Sequence, residues 1–241
     1  MFDLAKMAPI KRHWITKNSN IPMRYMRWGF ADIERTTRKV PEDLNIWMED
    51  LLEGRVIMDA GGLGTTGVGI LLDGEPGRGK TTHAVSVLNE FVRGIPDDDS
   101  EARKLLRVQP GVYGHNLRPI YYMTFTDFLY RKKALFNADN EDRRRLQLEM
   151  DGFHGRASED QFNVRVLVLD DLGKEYGSKY DDYSFDDILR TRYDKGLPTI
   201  MTTNVKLEKW KTEYSDAMAS FAHEAFIRIK LEGDDLRRNT Q

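Results

Sequence analysis

Gly69-Ile-Leu-Leu-Asp-Gly-Glu-Pro-Gly-Arg-Gly-Lys-Thr-Thr82 decides the fold of this 241-residue chain. Ile70 to Leu72 reads as a short buried strand. It breaks into Gly74-x-x-x-x-Gly79-Lys80-Thr81, a phosphate-binding loop pattern, and Thr81 to Arg93 then reads as a helix that stops at Gly94 before Pro96. Each residue type has its own task. The glycines let successive backbone N–H groups turn inward around a β-phosphate, and the helix start near Lys80 offers its positive end. Lys80 extends to the β- and γ-phosphates, and the Thr81 hydroxyl is suited to Mg²⁺. Gly74, Glu75, Pro76, Gly77, Arg78, Gly79, Lys80, Thr81 and Thr82 are therefore the expected nucleotide-binding residues.

Downstream, Val164-Arg-Val-Leu-Val-Leu-Asp-Asp171 is an apolar run ending in paired carboxylates. A strand of this kind, buried in a parallel sheet, delivers acid at its carboxyl end. Asp170 is the expected Mg²⁺ ligand, and Asp171 stands where a general base would orient and deprotonate an attacking water. Thr199 to Asn204 reads as a further buried strand, with Asn204 placed to hydrogen-bond a γ-phosphate or that water.

The remaining segments frame these two signals. Residues 1–40 hold nine Lys or Arg against three acids, a local excess of six positive charges, and read as a basic arm ahead of a domain spanning 41–241, with the aromatic and basic mixture from Ile21 to Asp32 expected to be packed. Leu44, Trp47, Met48, Leu51, Leu52 and Val56 recur at helical spacing between Pro41 and Ala60. Gly61 to Gly67 reads as a turn, and the stretch from Asp97 through Asn116 as a surface excursion. Pro119 to Thr124 reads as a strand and Phe125 to Asn137 as a helix with Arg131, Lys132 and Lys133 on its outer side. Asp182 to Asp194 and Asp216 to Phe226 read as helices, the second followed by a short strand, Ile227 to Leu231.

Composition bounds the rest. The formal net charge is −2 with 32% charged residues, so no global charge marks a nucleic-acid binder. The chain has no cysteine, which excludes disulfides and cysteine-ligated zinc and suits a reducing cytosol. No apolar run approaches 18 residues, so a soluble, cytoplasmic protein with no membrane partner is expected.

Taken together, the strings resemble the AAA+ ATPases of the DnaC/DnaI helicase-loader type, to which the transposition helper IstB is also similar. The resemblance runs from about Ile21 to Arg238. It rests on Ile21-Pro22-x-Arg24-Tyr25, the phosphate loop, Leu169-Asp-Asp-Leu-Gly-Lys-Glu175, Arg192-Tyr193-x-x-Gly196-x-Pro198-Thr-Ile-x-Thr-Thr-Asn204, and the closing Gly233 to Arg238. It implies a doubly wound parallel α/β sheet in the strand order 5-1-4-3-2, flanked by helices. It further implies Mg²⁺-dependent ATP hydrolysis at junctions between copies of the chain, and single-stranded DNA binding during delivery of a replicative ring helicase. It assigns Asn204 as sensor 1 and Arg237 as sensor 2, and it marks Arg131, Lys132 and Lys133 as DNA contacts.

Three departures qualify the resemblance. Ser220 to Phe226 holds no arginine where relatives place a finger, and Arg228 is the nearest substitute. The acidic pair is Asp-Asp rather than Asp-Glu, which shortens the base by one methylene and points to slow hydrolysis. About 40 residues precede the core, so the basic arm is the expected docking element for the helicase. Two other functions would share the phosphate grip: an IstB-like helper acting on duplex DNA, and a small-molecule P-loop kinase.

Overall fold

The computed structural model describes residues 2–36, 39–56, 67–173 and 179–232. The expected turn at 61–66, Lys174 and Glu175 of the acidic string, and the closing segment with Arg237 and Arg238 lie outside the described residues.

Five strands, β1 (Gly69–Asp73), β2 (Ile120–Thr124), β3 (Val166–Leu172), β4 (Thr199–Thr203) and β5 (Phe226–Lys230), form one sheet. Every pairing is parallel and the order is β2-β3-β4-β1-β5, the expected 5-1-4-3-2 read from the other edge. All positions of β1 and β4 are buried, as strands covered on both faces of a parallel sheet are.

The helices are α1 (Pro9–His13), α2 (Phe30–Glu34), α3 (Glu42–Leu52), α4 (Lys80–Gly94), α5 (Asp99–Leu106), α6 (Phe125–Ala134), α7 (Asn140–His154), α8 (Lys179–Asp194), α9 (Trp210–Glu213) and α10 (Asp216–Ala225). Side chains alternate across the sheet and divide the core into two layers. Ile70, Leu72, Val166 and Val168 face Leu88 and Phe91 of α4 and Trp47 and Leu51 of α3. Leu71, Leu167, Leu169 and Met201 face Phe125 and Phe128 of α6, Phe153 of α7, Phe185 of α8 and Phe221 of α10.

Two segments differ from their expected form. The N-terminal residues pack onto the fold: Trp14 and Ile15 are fully buried, and Ile21 and Ile33 nearly so. Hydrogen bonds through the Ser19 backbone and the Asn20 side chain fasten them. The Tyr122 N–H on the edge strand β2 donates to the Ser19 carbonyl (2.8 Å), and the Asn20 amide donates to the Tyr122 carbonyl (2.9 Å). Unpaired groups on a sheet edge need such a cover, and these apolar residues lack the periodicity that would have revealed it. The excursion between β1 and β2 likewise contains α5, capped by the Asp98 carboxylate on Ser100 and Glu101 N–H, with Ala102, Leu105 and Leu106 buried.

Arg192 of α8 ties the layers together. Its guanidinium is completely buried and spends all five N–H groups, on Thr199 Oγ1 and on the carbonyls of Phe153, Val164, Arg165 and Pro198. Burial pulls its pKa down to about 9, with Arg165 adding to the fall, so it remains charged at neutral pH. The Arg-Tyr…Pro-Thr string is thus a clamp across the starts of β3 and β4. Arg192→Lys keeps the charge but offers three donors for five acceptors. A loss on the order of 3 kcal/mol is expected, read as a fall of roughly 6–12 °C in the melting midpoint. An unchanged midpoint would contradict the clamp.

Candidate nucleotide-binding site

The loop leaving β1 is shaped by three glycines of positive φ, Gly74, Gly77 and Gly79. Gly74 has φ 153°, and a Cβ there would stand 2.5 Å from the Leu231 carbonyl oxygen; Gly79, at φ 81°, makes the left-handed turn on which α4 begins. Neither position admits a side chain without strain. Lys80, the first residue of α4, curls back over the loop. Its Nζ donates to the carbonyls of Gly74 (2.7 Å) and Glu75 (2.9 Å) and to Asn204 Oδ1 (2.7 Å). Those acceptors hold the ammonium where phosphate oxygens would exchange for them. Arg78 pairs with Glu75 at the rim (2.7 Å).

The acids stand on a bulge in β3. Leu169 is opposite Met201 but Leu172 is opposite Thr203, so β3 carries one extra residue between them. Asp171 has φ 66°, and its N–H donates to Thr202 Oγ1 (2.9 Å). The Thr202 hydroxyl in turn donates to Asp170 Oδ1 (2.6 Å). Asp170, only 5% exposed, also accepts from Thr81 Oγ1 (3.0 and 3.1 Å to its two oxygens) and from the Tyr122 hydroxyl (2.7 Å). Asp171 is half-buried at the site mouth, with the Asn204 amide 3.5 Å from its Oδ1, the outer limit of a hydrogen bond.

Lys80, Thr81, Asp170, Asp171 and Asn204 therefore meet at one point, although they come from α4, β3 and the end of β4. Thr81 and Asp170 present adjacent hard oxygens, a donor pair that suits Mg²⁺ taking its other ligands from water and phosphate. Among the described residues no group of three or more His, Asp or Glu could cage a metal alone. Thr202 and Tyr122 escaped the sequence reading. Their roles depend on strand neighbours and on the bulge, and no local pattern announces them.

Arg228 occupies a different place. It projects from β5 into a cavity of about 820 Å³ bounded by its own phosphate loop and the turn after β4. There it pairs with Asp73 (2.5 Å) and Glu208 (2.6 Å). The structure thus brings Arg228 to the loop of its own chain, engaged with carboxylates. Arg131, Lys132 and Lys133 of α6 are paired as well, with Glu149 (2.7 Å), Asp187 (3.4 Å) and Asp181 (2.7 Å).

No protein-family model matches the chain, and no curated protein does. Solved structures are similar to it. The DnaC helicase loader shares 18% identity at a TM-score of 0.52, over 88% of this chain and 100% of that one. DnaI shares 19% at 0.51, over 89% of this chain and 96% of that one. The replication initiator DnaA, bound to AMPPCP and single-stranded DNA, shares 17% at 0.51, over 90% of this chain and 52% of that one. At such identities the likeness is one of architecture: the chain has a DnaC/DnaI-like AAA+ fold.

The Arg228 geometry is testable by itself. Asp73 has a side chain only 4% exposed, and its Oδ1 has no hydrogen-bond partner among the described residues. Arg228→Ala would strand that carboxylate. Arg228 is a third exposed, so a loss of about 1–2 kcal/mol is expected in the dilute chain. A residue acting only on a neighbouring copy would leave the melting midpoint of the dilute chain unchanged.

Proposed function

We propose that this chain binds ATP with Mg²⁺, hydrolyses it slowly, and uses the nucleotide state to place a replicative ring helicase on single-stranded DNA. The observation that carries the nucleotide reading is the convergence of Lys80, Thr81, Asp170, Asp171 and Asn204 at the carboxyl ends of adjacent parallel strands. Ligands of open parallel sheets settle in that position. Support for the loader reading comes from the likeness to DnaC and DnaI over nearly nine-tenths of the chain.

Each residue has a role in this reading. Lys80 exchanges its loop carbonyls for β- and γ-phosphate oxygens, and the loop N–H groups surround the phosphates. Thr81 and Asp170 would hold Mg²⁺, which neutralises charge on the phosphate oxygens. Asp171 takes the proton of the attacking water while Asn204 orients that water. The one-methylene-shorter acid, and an Arg228 engaged by its own Asp73 and Glu208, both favour slow turnover. Copies of the chain would associate through the ATP site, which gives Arg228 a route to a neighbour only if those pairs open. Arg131, Lys132 and Lys133 remain the proposed DNA contacts, phosphates exchanging for the carboxylates they now face. Residues 1–40 are the proposed helicase-docking region, with Arg24 and Arg27 exposed on it.

A labelled single strand is expected to bind more tightly with ATP and Mg²⁺ than with ADP, and more weakly as salt rises. Asp171→Asn is expected to keep ATP binding while hydrolysis falls about 10²-fold or more. Absence of DNA binding in every nucleotide state, together with no capture of the cognate helicase, would contradict the loader reading. Preference for duplex would redirect it to an IstB-like helper.

A further inference from the structure

We propose that Tyr122 is a positioning residue for Asp170, through which the N-terminal strap, residues 19–30, sets the geometry of the nucleotide site. The proposal rests on the reading of that site as one for nucleotide.

The first observation is the hydroxyl. Tyr122 is 7% exposed in the apolar layer under α4, where a phenylalanine would fill the same space. Its O–H instead donates to Asp170 Oδ2 at 2.7 Å. The register explains why an aromatic is needed: Tyr122 lies opposite Val168, two residues short of Asp170, so only a long, rigid side chain spans the gap along the strands. Burial raises the phenol's pKa, and the Asp170 charge beside it adds to the rise, so the hydroxyl keeps its proton at neutral pH. Of the three hydroxyls on Asp170, that of Thr81 has another task once a nucleotide is bound. Those of Tyr122 and Thr202 then hold the carboxylate in place.

The second observation is what holds Tyr122. β2 is an edge strand, and the N–H and carbonyl of Tyr122 face away from β3. Both are taken by the strap, through the Ser19 carbonyl and the Asn20 side-chain amide. The same strap grips the helix that starts with Lys80 and Thr81. Asn89 of α4, fully buried, donates to the carbonyls of Tyr25 (3.4 Å), Met26 (3.3 Å) and Trp28 (2.8 Å), and Glu90 accepts from the Phe30 N–H (2.9 Å). The strap therefore holds both sides of the Thr81–Asp170 contact. A partner that loads the strap would move the two sides relative to each other.

Tyr122→Phe and Asn20→Gly test this. Asn20 has φ 56°, so glycine keeps the backbone while removing the amide. A fluorescent ATP analogue would be titrated into wild-type and variant chains in EDTA and again across a magnesium series, with ATP turnover and melting followed in parallel. For Tyr122→Phe, affinity in EDTA is expected to stay within about twofold while the magnesium needed for half-maximal tightening rises about 10-fold, the usual cost of losing a ligand's supporting bond. Turnover at saturating ATP and magnesium should fall without a change in the KM for ATP. Asn20→Gly should shift the magnesium requirement in the same direction, by less. A Tyr122→Phe chain whose melting falls while its magnesium requirement stays at the wild-type value would overturn the proposal, because that is the result of a purely structural role. Wild-type protein that binds no analogue under either condition would overturn the nucleotide site itself, and the proposal with it.

Discussion

A carboxylate that is 5% exposed must find its partners inside the protein, and Asp170 finds them on three separate elements. Thr81 belongs to the first turn of α4, Tyr122 to β2 and Thr202 to β4. The sheet order therefore matters to the chemistry: β3 must lie between β2 and β4, and α4 must start above its end. The β3 bulge serves the same requirement. It directs the Asp171 N–H onto the Thr202 hydroxyl, so the hydroxyl that holds Asp170 also fixes the backbone of the neighbouring acid.

Much of this could be read from residues alone where the signal is local. The loop from Gly74 to Thr82 requires glycine at fixed places and a lysine at the helix start, and the structure puts both where the spacing implies. The apolar run ending in Asp170 announces a buried strand because both faces of β3 are covered. Signals that depend on distant neighbours were silent. Trp14 and Ile15 are core residues, but the short helical turns of residues 4–18 repeat too little to show a face. Tyr122 reads as one more aromatic in a strand, and only the pairing of β2 with β3 gives its hydroxyl a target. Arg228 was legible as a cation near the last strand; its carboxylate partners, Asp73 and Glu208, are 155 and 20 residues away in sequence.

Around this centre the chain has a DnaC/DnaI-like AAA+ architecture, and charges near the loop are paired with one another. Asp73 directly precedes the phosphate loop and its Oδ2 is paired with Arg228, so β5 is fastened to the start of the loop within one copy. On the opposite edge the strap fastens β2 and α4.

The most direct measurement is a crystal structure of the chain with a non-hydrolysable ATP analogue and Mn²⁺, read at the manganese anomalous edge. The account predicts an anomalous peak beside Thr81 Oγ1 and Asp170, with Lys80 Nζ moved from the Gly74 and Glu75 carbonyls onto phosphate oxygens. Nucleotide bound elsewhere, or a saturated crystal in which Lys80 still holds those carbonyls and no manganese lies beside Asp170, would contradict it.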